Sequence, residues 1–425
     1  MTPQIKQRLD HIQRGEVPKG YKRTKVGIVP SDWEETRFKR MFSRLSRKNK
    51  ENNDNVLTIS AQYGLISQRD FFNKDIASED KTNYFLLHKG EFAYNKSYSN
   101  GYPFGALKRL DMYEKGIVSP LYICFSANEE NRCPDFYVHY FEAGMMNREI
   151  QAFAQEGARN HGLLNISVDD FFNSYLLMPP LPEQQKIAEI LSAQDKLIAL
   201  KEKLIEEKKR QKKYLMQQLL TGKKRLPGFS GLWKHQKMTD ILCERKEENT
   251  SQNLRICSVA VHSGVVDQRE HLGKSMAALD TSNYNVVYYG DIVYTKSPTG
   301  EFPFGIVKQS QMKEKVAVSP LYGVYEPINY EIGYLLNEFF MYANNANGYL
   351  LPIVNKGAKN TINISNSTFL TPSLFLPTDS QEIDVLVQIF KKANEEIEIL
   401  KKNLDQEKKK KKALMQLLLT GILRV

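Results

Sequence analysis

No run of about 18 apolar residues occurs anywhere in the 425-residue chain, so the sequence offers no membrane span. The N-terminal MTPQIKQRLDHIQRGEVPKG has no apolar stretch of the kind a secretion signal needs, and the expectation is a cytoplasmic protein. Cysteine is scarce: Cys124, Cys133, Cys243 and Cys257 are scattered without CxxC spacing, which argues against a disulfide framework or a thiolate metal site. The seven histidines are isolated, with no HxxxH or HExxH pair. There is no GxxxxGK[ST] loop to cradle phosphates, and GFSGLWK lacks that order. There is no GxGxxG after a strand, hence no dinucleotide site. A base methyltransferase needs a glycine-rich adenosylmethionine loop and an Asn/Asp-Pro-Pro-aromatic tetrapeptide. MPPLPEQ has prolines without the preceding acid or amide, and reads as a helix start with Glu183 in its first turn. Pro134-Asp135 alone does not make a nuclease site. No motif of the common catalytic classes is found, no cofactor or metal is expected on this chain, and what remains is recognition chemistry.

What is present is a repeat. EKKRQKKYLMQQLLTG ends at Gly222 and EKKKKKALMQLLLTG at Gly421. Counting from Ile190, Ala193, Leu197, Leu200, Leu204 and Tyr214 recur at steps built from three and four. Counting from Phe390, Ala393, Ile397, Leu400, Leu404 and Leu414 do the same 200 residues later. That spacing predicts a coiled-coil seam on each of two long helices, interrupted at Glu207/Gln211 and Glu407/Lys411. From Ile190 to Gln218 such a helix is about 40 Å long. The net charge of +11 sits on these helices: residues 201–225 carry +7 and residues 401–412 carry +5, leaving the remainder nearly neutral.

The globular part is duplicated at the same offset. Tyr63 to Arg69 (YGLISQR) matches Ser263 to Arg269 (SGVVDQR), and residues 83–122 match 283–322. PFG recurs at 103–105 and 303–305, and SPLY at 119–122 and 319–322. GARN at 157–160 matches GAKN at 357–360, and NIS at 165–167 matches NIS at 363–365 after a two-residue slip. Short runs rich in Val, Ile, Tyr and Phe, broken by Gly, Asn and Pro, predict strands; FYVHYFEAGMMNREIQAFAQ predicts the one long helix inside the first domain. A repeat this long is a duplicated domain rather than a solenoid. The segment ending at Gly15, followed by GYKRTKVGIVPSDW, resembles the junction LLTG–KKRLPGFSGLW and reads as a third, truncated copy of it.

The predicted fold class is α+β: two similar globular domains joined by two long helices packed as an antiparallel coiled coil, with internal two-fold pseudo-symmetry. The expected boundaries are 1–22 for an N-terminal helical stub and linker, 23–180 and 224–378 for the two domains, and 181–223 and 379–425 for the helices.

Recognition chemistry concentrates where the halves agree. AYNKSYSNGYPFG and VYTKSPTGEFPFG each put an aromatic, a lysine and a serine after a strand and before a Gly/Pro loop. Candidate contacts to phosphates and base edges are Tyr94, Lys96, Ser97, Tyr98 and Asn100 in the first copy, and Tyr294, Lys296, Ser297 and Thr299 in the second. Tyr102, Glu301 and Phe302 complete the variable tips. Gln68-Arg69 and Gln268-Arg269 pair an adenine-reading with a guanine-reading side chain. Arg159, Asn160 and His161, and Lys359 and Asn360, lie in glycine-flanked loops.

These features together resemble the specificity (S) subunit of Type I restriction–modification systems. The matching residues are GYKRTKVGIVPSDW, LNIS followed by LLMPPLPEQQKIAEIL, the lysine-rich helix ending in LMQQLLTG, and the repetition of the arrangement to LMQLLLTGILRV. The second copy departs from the pattern, since LFLPTDSQEIDVLVQIF keeps Pro377 and Gln381 without the PLPEQ sequence. The resemblance implies two target recognition domains, each reading one half of a split, asymmetric double-stranded DNA site, with the helices as a ruler. It implies as partners two modification (methyltransferase) subunits and restriction (translocase/endonuclease) subunits, which would carry the adenosylmethionine, ATP and Mg. A coiled-coil scaffold without a DNA role, and a self-contained methyltransferase or nuclease, are the competing readings.

Overall fold

The computed structural model describes residues 2–60, 63–72, 81–99, 101–156, 164–272, 280–356 and 362–425. The chain divides into two units: residues 1–201 with 403–425, and residues 202–402. Each is a mixed helix-and-sheet domain carrying part of both long helices, Leu181–Leu219 and Ser380–Leu418.

In the first unit a four-stranded antiparallel sheet runs in the order Phe42–Leu45, Ile123–Ala127, Phe92–Asn95, Ala106–Arg109. Its buried face carries Phe42, Phe92 and Phe125, which pack with Phe38, Phe141 and Phe171 at ring separations of 4.7–6.1 Å. A second layer pairs Phe85–His88 with Lys115–Val118, and a hairpin joins Leu57–Ser60 to Gly64–Ser67. The expected long helix is two, Pro134–Glu142 and Asn147–Phe153. Gly144 separates them at φ +68, a left-handed conformation that ends helices.

The second unit repeats this plan. One sheet has the order Leu242–Glu244, Gly323–Pro327, Ile292–Tyr294, Val307–Gln309. The other has the order Gly264–Asp267, Arg255–Ala260, Val316–Val318, Asn285–Val287. Helix Tyr330–Phe340, N-capped by Asn329, covers the first sheet.

Within each unit the two long helices run antiparallel, as the sequence predicts. In the first, Gln194 donates to Glu407 at 2.8 Å and Asp195 pairs with Lys411 at 2.6 Å. In the second, Lys208 pairs with Glu396 at 2.6 Å and Lys212 with Glu338 at 2.7 Å. Part of the lysine excess is therefore committed to internal ion pairs.

In the second helix the predicted seam residues Phe390 and Ile397 are buried, but in the first the predicted seam is displaced. Leu197, Leu200, Leu204 and Tyr214 are 37, 65, 39 and 59 % exposed, whereas Ile187, Leu191, Gln194, Ile205, Lys212 and Met216 are buried. Matching buried positions in the second helix are Leu386, Phe390, Met415 and Leu418, which correspond to Ile187, Leu191, Met216 and Leu219 at an offset of 199, not 200. One residue turns a helix by about 100°, so the one-residue error selected the neighbouring face.

Each helix start is held by the same triad, whose tryptophan and glutamate are buried. Trp33 Nε1 donates to Glu183 at 2.8 Å, and Arg424 forks onto both oxygens of Glu183 at 2.7 and 2.9 Å. In the second unit Trp233 donates to Glu382 at 3.1 Å and Arg225 forks onto it at 2.9 and 2.7 Å. Arg225 follows the first LLTG and Arg424 the second. The chain's C-terminal residues, not its N-terminal segment, therefore supply the missing copy of that junction. The N-terminal helix Pro3–Gln13 and its linker pack beside them: Arg8 donates to the Ile422 carbonyl and Tyr21 to that of Gly421, at 2.5 and 2.6 Å.

Candidate nucleic-acid interface

Three loops of the first unit meet at one end of its sheets. Strands Phe92–Asn95 and Ile123–Ala127 pair antiparallel with Ile123 opposite Tyr94, so the chain after Asn95 and the turn before Ile123 lie side by side. Leu164 N–H donates to the Lys96 carbonyl at 3.0 Å, bringing in the hairpin Gln155–Glu156/Leu164–Asn165. Its connecting residues 157–163 lie outside the described residues, and with them Arg159, Asn160 and His161; so does Asn100.

Tyr94 and Tyr294 are 0 % exposed and have no surface to offer DNA. Each hydroxyl donates to the carbonyl of the loop's phenylalanine, Phe104 at 2.6 Å and Phe304 at 2.7 Å, and burial raises both phenol pKa values. The rings stack on Phe171 and Phe369. These tyrosines are posts under the loop, a correction to their expected role. Gly105 explains the PFG motif: at φ +81, an added Cβ would sit 2.2 Å from the Asn95 carbonyl oxygen. At Gly305, with φ +96, an added Cβ would sit 2.8 Å from the Lys296 backbone nitrogen. Lys296 itself has φ +58, a conformation that costs a β-carbon-bearing residue about 1 kcal/mol.

On this scaffold Lys96 and Lys296 are half-buried, and burial lowers both ammonium pKa values. Ser97 is half-buried, Ser297 and Thr299 are exposed, and Tyr98 is 63 % exposed. Two tip residues turn inward instead. Tyr102 donates to Glu142 at 2.8 Å and accepts from Lys108 at 2.9 Å, and Phe302 is buried. In the second unit the hairpin Asn355–Lys356/Ile362–Asn363 again flanks a segment, 357–361, outside the described residues, which contains Lys359 and Asn360.

The Gln-Arg pairs do not join this end. Gln68 N–H donates to Val56 and Arg69 pairs with Asp54 at 3.1 Å, at the start of strand Leu57–Ser60. That strand runs parallel to Lys115–Val118, with Val56 bridged to Ile117, so Gln68 and Arg69 lie at the strand ends away from Lys96. Arg269 is placed likewise: its N–H donates to Asp267, which pairs with Arg255 at the start of strand Arg255–Ala260. Gln268 precedes it at the same strand end.

Sequence reasoning missed the polar groups buried where each domain meets its helices. The two tryptophans at matched positions were the available signal for the Trp–Glu–Arg triads. Lys308 gave none. It is 4 % exposed, and Phe302 stands where Lys108 has the hydroxyl of Tyr102. Burial pushes the Lys308 ammonium down to about 8, against the pull of Glu338, which is already paired with Lys212. A folded-state pKa below the unfolded value means folding releases protons between about pH 8 and 10.5. The lysine's contribution is therefore most unfavourable below pH 8 and improves as pH rises through that window. Lys308→Met is expected to stabilise the second unit by about 2 kcal/mol at pH 7 and to flatten the rise in stability above pH 8. Urea unfolding of both proteins at several pH values, followed by a probe confined to the second unit, measures this, and equal stability at pH 7 would show that Glu338 fully compensates the charge.

Among the described residues no group of three or more His, Cys, Asp or Glu is placed to hold a metal, and no helix is long and apolar enough to cross a membrane. The family described as the Type I restriction modification DNA specificity domain matches residues 30–210. A Methanocaldococcus jannaschii protein assigned as a type I restriction enzyme MjaX specificity subunit is 24 % identical over 212 residues. That match covers 47 % of this chain and 48 % of the relative, so the chain aligns with about half of that protein's length. Among solved structures, a chain from work on complex assembly and conformational transition of the type I R-M system superposes with a TM-score of 0.53 at 14 % identity. It covers 93 % of this chain and 99 % of that one. The HsdS subunit from Thermoanaerobacter tengcongensis gives a TM-score of 0.46 at 15 % identity, with 93 % and 98 % covered. Residues 30–210 are thus similar to the Type I restriction modification DNA specificity domain, and the chain shares the fold of the structure from the type I R-M system.

Proposed function

We propose that each unit reads one half of a bipartite, asymmetric double-stranded DNA target and that the two long helices set the gap between the halves. The observation that carries this is the recurrence, at the same end of each unit's sheets, of a lysine on a braced loop whose tip differs between copies: Ser97 to Tyr102 against Ser297 to Phe302. A common platform suits the phosphate backbone, which positions without specifying. Different tips suit different base edges. The chain directs methylation and cleavage carried out by two modification subunits and by restriction subunits, in the cytoplasm. Adenosylmethionine, ATP and Mg belong on those partners. Exposed Leu197 and Leu200 on the first long helix offer an apolar stripe for a partner helix.

The test is methylome sequencing of cells that express the chain with its methyltransferase partner, before and after replacement of residues 34–180. One half of the methylated motif changes; an unchanged motif overturns the half-site assignment. Lys96→Ala and Lys296→Ala should each weaken binding across sequences and reduce the slope of log K against log salt by about 1. A slope identical to that of the unaltered complex, measured by titration at several salt concentrations, removes the phosphate role.

A further inference from the structure

The tetrapeptide Ser-Pro-Leu-Tyr occurs at 119–122 and 319–322, and three of its four residues have visible internal work. The serine carbonyl accepts from the tyrosine N–H at 3.0 Å in both copies, closing a four-residue turn, and the serine hydroxyl accepts from the leucine N–H at 3.3 Å. Proline at the second position sets the backbone angle that such a turn requires. The tyrosine holds the turn down: burial raises the Tyr122 phenol pKa beside Thr58 and Ile59, and the Tyr322 carbonyl accepts from Asn285 at 2.9 Å. The leucine does none of this. Leu121 is 60 % exposed and Leu321 73 % exposed, each at the outer corner of a rigid turn. Single exposed leucines are ordinary. A leucine presented in the same way by both units, on a turn braced by its neighbours, is a shaped feature.

Its location indicates a partner. Ile123 pairs with Tyr94 and Gly323 with Tyr294, so each turn lies just beyond the end of its ladder, beside the chain that leads into Lys96 or Lys296. We infer that Leu121 and Leu321 are apolar tips that enter a DNA groove at the two half-sites and pack against base methyl groups and sugar carbons beside the phosphate held by the neighbouring lysine. Apolar contact with the thymine methyl is an established form of readout, and such contacts release no counterions. This inference rests on the proposed DNA-reading role of that end of each unit, and gives it a second kind of contact.

The test uses the full chain assembled with its modification subunits and a duplex carrying the motif identified by methylome sequencing. Leu121→Ala and Leu321→Ala are each expected to reduce affinity about tenfold while leaving the salt slope unchanged, in contrast to Lys96→Ala and Lys296→Ala. Melting temperatures should not move, because the side chains are exposed. If the leucine variants bind normally while the lysine variants are impaired, the inference falls and the DNA-reading role stands. If none of the four alters DNA binding, that role falls with it. Loss of assembly with the modification subunits in the absence of DNA, measured by sedimentation, would make the turn a protein-docking site and also overturn the inference.

Discussion

Arg424→Ala is expected to destabilise the first unit by about 3 kcal/mol, although Arg424 is the penultimate residue of the chain. Glu183 is 5 % exposed, and its carboxylate is satisfied by the Trp33 indole and by both arms of the Arg424 guanidinium. Removing the arginine leaves a buried carboxylate with one neutral donor, and an uncompensated buried charge costs far more than an exposed ion pair contributes. Arg225→Ala should have a similar effect in the second unit, where Glu382 is 1 % exposed. A chain of two units does not unfold in one step, so the measurement is hydrogen exchange along residues 183–195 and 382–394. Arg424→Ala should accelerate the first segment and spare the second, and Arg225→Ala the reverse. Unchanged protection at Glu183 would show that solvent reaches the carboxylate. Pairing Arg424→Met with Glu183→Leu should restore part of the loss, since removing both charges avoids the unpaired one.

Gly105→Ala should disrupt the loop that follows Asn95, at a cost of more than about 3 kcal/mol. Two penalties coincide there: a left-handed backbone at φ +81, and a methyl group placed 2.2 Å from the Asn95 carbonyl oxygen and 2.8 Å from the Tyr94 ring. Gly101 separates them. Its φ is +85, yet an added Cβ would meet nothing within 4 Å, so Gly101→Ala bears only the conformational term of about 1 kcal/mol. Hydrogen exchange over residues 95–105 and methylation of the target motif should both report the contrast, with Gly105→Ala severe and Gly101→Ala mild. Similar behaviour of the two variants would remove the close approach as the reason for the PFG sequence.

The duplication, the helix–domain order and the antiparallel helices were legible because they depend on long repeated patterns. The helix register was not. Two residues are lost before the second NIS, and one is regained between the strand after it and Glu382, where LMPPLPEQ is opposed to FLPTDSQE. That lone residue is invisible to composition and rotates the apparent face of the helix. Tyr94 and Tyr294 show a second limit: an aromatic repeated beside a lysine reads as a contact, and only burial reveals it as a support. The Gln-Arg pairs show a third, since adjacency in sequence to a strand says nothing about which end of the sheet is used. Arg424 and Arg225 were out of reach for a different reason. Their equivalence joins the last residues of the chain to a segment in its middle, and no local pattern links them.

The polar groups between each domain and its helices differ between the two halves. In the first unit buried His139, its pKa lowered by burial, faces Ser192 at 3.1 Å and the Asp195–Lys411 pair on the helices. In the second, Glu338 faces Lys212 at 2.7 Å and Asn394 at 3.0 Å. A domain moved from the second position to the first would set the buried Glu338 carboxylate beside Asp195, which is 42 % exposed and already engages Lys411, where its own position offers the neutral Asn394. The charge pattern of each domain is thus matched to its own stretches of the helices, which for the first unit is the discontinuous set of residues 1–201 with 403–425.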